Sequence, residues 1–328
     1  MSALPEAVRA LAEADFASVA QRFESAGFAV AQPASGVLTV KAATPDAGRP
    51  SVLVSVGVHG DETGPIEMVA WLVEALSRTP EALAVDLMLC VGNIDAIRLA
   101  KRFVDADLNR MFRAERGALA GTFEAGRADV LIDVTRAFFE GSGPQRWHLD
   151  LHTAIRPSHY PMFAIVPELI ADRARESLIA WMGEAGIQAI IMNPASAGTY
   201  SYFTSEHLGA AGTTVELGRV GTLGQNDLSQ FADAAKALER LLRGQPAGEA
   251  KVAPHVFATA RSIMKLSDAF SMRVGRETWN FTPMKRGEVI ALDGDTVYTV
   301  EHDEELVVFP NPDVRVGLRA GIMVVRIH

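Results

Sequence analysis

Cysteine is almost missing from this chain: Cys90 is the single one in 328 residues. No disulfide can form within the chain, which excludes a disulfide-stapled scaffold. Basic residues are in deficit, with 31 Lys and Arg against 40 Asp and Glu and a formal charge of −9. Nucleic-acid binding draws on clustered Lys and Arg, so no nucleic-acid partner is expected. Long apolar runs are also lacking. No segment reaches the roughly 18 unbroken apolar residues that would span a bilayer, and no membrane partner is expected. The opening MSALPEAVRALAEADF carries acidic residues and no long apolar stretch. It does not read as a signal peptide, and a cytoplasmic protein is the expectation. Internal repeats and low-complexity segments are absent as well.

What is present is a globular composition, 48% hydrophobic and 22% charged, enough for one large domain or two smaller ones. Cys90 sits in the apolar run AVDLMLCVGN and reads as a buried structural thiol. The net charge repels anions at long range, so an acidic ligand would need a local positive pocket.

Residues 4–26 read as one amphipathic helix. SVLVSVGV, residues 51–58, is a short run rich in β-branched residues and suits a strand buried on both faces. It ends in HGDETGP, where Pro65 can open a helix through IEMVAWLVEAL. LAVDLMLCVGN, RWHLDLHT, PMFAIVP, IQAIIMN and GTTVELG read as further strands. RADVLIDVTRAFFE, LIADRARESLIAWMGEAG and DLSQFADAAKALERLLRG read as helices. Alternating strand and helix point to an α/β fold, a mixed sheet flanked by helices on both faces. GQPAGEAKVAP then reads as a linker, followed by short strands separated by turns such as LDGDT and FPNPD. The expected organisation is an α/β domain over residues 1–245 and a small all-β domain over 250–328.

Four segments can carry chemistry. In Gly57-Val58-His59-Gly60-Asp61-Glu62 a strand runs into a glycine-flanked turn. His59 and Glu62, three apart, can reach one zinc ion, which accepts imidazole nitrogen and carboxylate oxygen. A solvated turn accounts for the same residues. In Trp147-His148-Leu149-Asp150-Leu151-His152 the polar residues alternate and share a face. His152 lies nearer the strand's C-terminal end than His148, and is taken as the ligand, with Asp150 placed to orient it. Glu216, in the apolar strand TTVELG, is either half of a buried salt bridge or a general base. The segment KRFVDADLNRMF, residues 101–112, mixes Arg, Asp and Asn. It reads as a charged loop, or as a grip for a carboxylate or a polarised carbonyl.

GVHGDET, RFVDADLNRMF, DLHTAIR and VELG followed by LGQNDLSQF together resemble the succinylglutamate desuccinylase and aspartoacylase family. The motifs span about residue 50 to residue 232, and FPNPDVRVGLRAGIMV extends the resemblance into the C-terminal strands. The resemblance implies a zinc-carboxypeptidase-like fold with one zinc per subunit, held by His59, Glu62 and His152. It implies Glu216 as the catalytic carboxylate and Arg102 as the arginine that polarises the scissile carbonyl. Asn109 and Arg110 are implied to hold a carboxylate of the substrate. The implied activity is hydrolysis of N-succinyl-L-glutamate to succinate and L-glutamate, the last step of arginine breakdown by the succinyl-transfer route. The alternative is the same chemistry on another small N-acyl amino acid. One departure stands out. The family usually carries an arginine some ten residues before the catalytic Glu, but YSYFTSEHLGAAGTTVE has none, and Glu206 stands near its place. Arg156, Arg219 or a residue of the C-terminal strands are the candidates to replace it.

Overall fold

The computed structural model describes residues 4–328. The first three residues of the opening segment and of the expected 1–245 domain lie outside the described residues. In chain order, helices α1 (Glu6–Ala12) and α2 (Ala17–Ser25) precede strands β1 (Ala29–Ala34), β2 (Val37–Lys41) and β3 (Ser51–Val56). Then come α3 (Thr63–Arg78), β4 (Asp86–Val91), α4 (Ile94–Arg98), α5 (Phe123–Phe139) and β5 (Arg146–Ala154). Next follow β6 (Met162–Pro167), α6 (Asp172–Glu184), β7 (Ala189–Asn193), α7 (Tyr200–Leu208), β8 (Ala211–Arg219) and α8 (Ala232–Leu242). The C-terminal part holds β9 (His255–Met264), β10 (Ser271–Met272), β11 (Thr282–Lys285), β12 (Val289–Asp293), β13 (Thr296–Thr299), β14 (Glu304–Val308) and β15 (Arg319–Arg326).

Residues 4–26 are two helices rather than one. Ala14 takes a left-handed φ of +57°, which an L-residue adopts only where the helix stops. The Asp15 carboxylate then accepts from the Ala17 amide and starts α2.

The sheet is mixed, and helices cover both faces. Twelve strands run in the order β1-β2-β4-β3-β5-β8-β6-β7-β9-β15-β14-β11. The change to all-β composition near residue 250 does not break the hydrogen bonding, because β9 pairs in parallel with β7. A separate three-stranded sheet, β10-β12-β13, lies within the C-terminal part. Strand β3 shows why the centre is dry. Val52, Val54 and Val56 pack into the layer containing α1, α2, α3, α6 and α8. Leu53 faces the opposite layer with α5 and α7. Each such buried side chain contributes roughly 1.5–3 kcal/mol. Among the described residues, no helix is long and apolar enough to cross a membrane.

Strands β4, β3, β5 and β8 are parallel neighbours, so their C-terminal ends open on one edge. Open α/β sheets place their sites at such an edge. On β5, Leu149 and Leu151 fill one layer, which turns His148, Asp150 and His152 toward the other.

Candidate active site

Two glycines set the turn after β3. Gly57 has φ +64°, a conformation open to glycine at little cost. A Cβ on Gly60 would fall 2.2 Å from the Ala96 carbonyl carbon, so only glycine lets the turn pack on the backbone of α4. The turn carries His59 inward and delivers Glu62 to the start of α3, where both are buried. His152 comes from the C-terminal end of β5 and is 2% exposed. His59, Glu62 and His152 each offer one ligand atom, and these atoms lie within 4.8 Å of one another. Glu62 bridges the pair, with Oε1 2.9 Å from His59 Nδ1 and Oε2 2.8 Å from His152 Nδ1. Two imidazoles and one carboxylate are a donor set that suits a catalytic divalent ion such as zinc. Burial alone would raise the Glu62 carboxyl, but His59 and His152 outweigh it and hold it well below the usual range.

Both imidazoles are oriented from behind. Asp107 Oδ1 lies 2.8 Å from His59 Nε2, and Asp150 Oδ2 lies 2.9 Å from His152 Nε2. Ser55 donates to the other Asp150 oxygen at 2.5 Å. Carboxylates that fix histidine rings in this way raise ligand basicity. His148 is elsewhere engaged, between Ser55 and Thr204 at 2.8 Å each. Burial pushes its pKa down to about 4, so it stays neutral.

Glu216 sits on β8 directly beside His152, its register partner on β5. It is 7% exposed, and its Oε2 has no hydrogen-bond partner. A salt bridge is not its role, because no cation pairs with it among the described residues. Burial first, and then the charge of Glu62, raise its pKa to about 7. A carboxylate poised there can accept and return a proton near neutral pH.

The segment 101–112 wraps the other side of the cluster. Arg102 donates to Glu62 Oε1 at 2.7 Å. Asn109 is anchored by accepting from the Tyr200 amide at 2.8 Å, and its amide nitrogen lies 3.4 Å from His152 Nε2. Arg110 donates to the Asn109 carbonyl at 2.6 Å and stands 4.0 Å from Asp107. The structure thus brings His59, Glu62, His152, Glu216, Arg102, Asn109 and Arg110 to one place. Glu206, by contrast, lies on α7 with its side chain 45% exposed and pairs with His207.

Glu124, which no sequence motif marks, holds this segment in shape. It is fully buried at the start of α5 and accepts from the Val104, Asp105 and Ala106 amides and from Asn93 Nδ2. Nothing in the motif GTFEAG separates it from an ordinary acidic residue in a first helical turn. Glu124→Ala strands these donors and frees the segment. The expected result is near-normal metal content with kcat/KM down by about 10²-fold, since a displacement of about 1 Å costs that much. Unchanged kcat/KM would contradict this role.

Residues 48–242 match the family model described as the succinylglutamate desuccinylase/aspartoacylase catalytic domain, and residues 252–327 match the AstE/AspA barrel-sandwich hybrid domain. A succinylglutamate desuccinylase of Burkholderia orbicola (strain MC0-3) is 45% identical over 88% of this chain and 85% of its own length. The crystal structure of a succinylglutamate desuccinylase from Vibrio cholerae superimposes with a TM-score of 0.85 at 31% identity, covering 92% of this chain and 88% of that one. That from Chromobacterium violaceum gives a TM-score of 0.77 at 34% identity, covering 95% and 98%.

Proposed function

The chain belongs to the succinylglutamate desuccinylase/aspartoacylase family, and on that footing we propose that it hydrolyses the amide of N-succinyl-L-glutamate to succinate and L-glutamate. This is the last step of arginine breakdown by the succinyl-transfer route. His59, Glu62 and His152 would hold one zinc ion, whose Lewis acidity makes water more acidic and favours negative charge on the carbonyl oxygen. The observation that carries the reading is Glu216: a buried carboxylate with a free oxygen, next to the His/Glu/His cluster.

The residues divide the work. Glu216 takes a proton from the attacking water. Arg102 presents a guanidinium where the carbonyl oxygen gains charge. Glu216, now protonated, returns the proton to the leaving nitrogen as the C–N bond breaks. Asn109 and Arg110 hold a substrate carboxylate and keep the amide in line for attack. Water's oxygen ends in succinate, and glutamate leaves with the recovered proton.

The experiment is side-by-side turnover of N-succinyl-L-glutamate and N-acetyl-L-aspartate by the metal-loaded protein. The expected result is kcat/KM higher for the succinyl substrate by about 10²-fold or more, since unmatched charged groups cost that much. A preference for acetylaspartate would move the substrate assignment and leave the chemistry in place.

A further inference from the structure

The motif LGQNDLSQF, residues 223–231, carries part of the family resemblance, yet none of its side chains enters the chemistry above. It lies in the exposed loop that follows β8, the strand bearing Glu216. Asn226 ties this loop to α3, the helix that begins beside Glu62. Its Nδ2 donates to Glu67 Oε1 at 2.5 Å and to Thr63 Oγ1 at 2.9 Å. The Gly224 amide donates to the same Glu67 oxygen at 2.6 Å, and the Thr63 hydroxyl donates onward to the Gly221 carbonyl at 3.0 Å. Glu67 is 5% exposed and has no ion pair among the described residues, so these neutral donors are what satisfies its Oε1. The fit is close on both sides. A Cβ on Gly221 would fall 2.1 Å from Asn226 Oδ1, and one on Gly64 would fall 2.8 Å from Phe231 Cζ, so the loop packs on α3 only with glycine at these places.

The sheet alone does not hold Glu62 and Glu216 together. Glu62 follows β3, Glu216 lies on β8, and β5 runs between those strands. The loop after β8 crosses that gap. The Val220 amide donates to the Ala154 carbonyl at the end of β5 at 3.2 Å, and the next residue, Gly221, accepts from Thr63. Thr63 is the first residue of α3 and adjoins Glu62. One stretch of chain thus spans the base, the strand bearing His152 and the helix start bearing Glu62. The segment 101–112, which carries Arg102, Asn109 and Arg110, is held from elsewhere, by Glu124.

We infer that Asn226 and Glu67 form a latch, and that Asn226 is a positioning residue for the reaction. On the hydrolase reading above, the latch fixes the metal ligand Glu62 relative to the base Glu216. Breaking it lets the start of α3 shift against the end of β8. The ligand set loosens and the base moves out of line, while the carboxylate grip of Asn109 and Arg110 stays where it is. The signature is weaker metal binding and a lower kcat, with little change in KM.

The test compares Asn226→Asp, which sets a carboxylate against Glu67, with Asn226→Asp/Glu67→Gln, which again faces an amide with a carboxylate, the roles exchanged. In competition with a chelating dye, Asn226→Asp should bind zinc about 10-fold more weakly, as loss of the support behind a ligand does. Its kcat on N-succinyl-L-glutamate should fall by about 10- to 100-fold with KM within about three-fold, since a displacement of about 1 Å costs up to that much. The double variant should recover most of both losses. Zinc affinity and kcat both within about two-fold of wild type, with only the thermal transition lowered, would overturn the positioning role. A double variant no better than Asn226→Asp would overturn it too. Absence of wild-type turnover would overturn the hydrolase reading, and zinc affinity would still decide the latch, because that measurement needs no substrate. If Asn226→Asp does not fold, Thr63→Val removes the bonds to Asn226 and Gly221 without adding charge and carries the same measurements with a smaller expected loss.

Discussion

Glu216→Gln is expected to keep its metal and lose about 10²- to 10⁴-fold in kcat, the usual range for removal of a general base. The substitution preserves shape and leaves the three ligands untouched, because Glu216 makes no hydrogen bond through Oε2. What disappears is the group that can hold a proton. The pH profile supplies a second readout. Burial and the neighbouring Glu62 charge raise Glu216 to about 7, and a cation seated on the cluster would pull it down from there. The carboxylate form is the active one, so turnover should rise with pH through an acidic limb at or below that value. The Gln variant should lack this limb. Near-normal turnover by Glu216→Gln would remove it as the base.

His152→Ala is expected to release the metal. Changing a residue that merely orients a ligand costs about 10- to 100-fold in affinity, and removing a ligand outright should exceed that. After dialysis, metal per chain should fall from about one to a small fraction, with activity falling in proportion. His148→Ala is the matched control on the same strand face. Its ring is bound to Ser55 and Thr204 and packs edge-on against Tyr200 at 4.5 Å. That variant should lose stability and keep its metal. Full metal content in His152→Ala, with loss in His148→Ala, would reverse the choice between the two histidines.

The site was legible in the sequence where chemistry and chain order coincide. His59, Glu62, His152 and Glu216 all lie at or near the ends of strands that read as buried runs, and parallel pairing of β3, β5 and β8 gathers those ends. Choosing His152 over His148 needed only the strand direction. Other features lie beyond local pattern. The break at Ala14 falls inside an amphipathic stretch whose periodicity continues on both sides. Glu124 acts through backbone amides 18 to 20 residues away in the chain, so no side-chain motif marks it. The join of β9 to β7 follows a stretch that reads as a linker, because pairing is decided by strand edges that composition does not reveal.

The most direct test of Glu216-assisted hydrolysis is the reaction of N-succinyl-L-glutamate in ¹⁸O-labelled water with the metal-loaded protein. The predicted result is succinate and glutamate in equal amounts, one labelled oxygen in each succinate and none in glutamate, with the reaction stopped by a chelator and restored by added zinc. Label in glutamate, or succinate release that continues unchanged after the metal has been stripped, would contradict it.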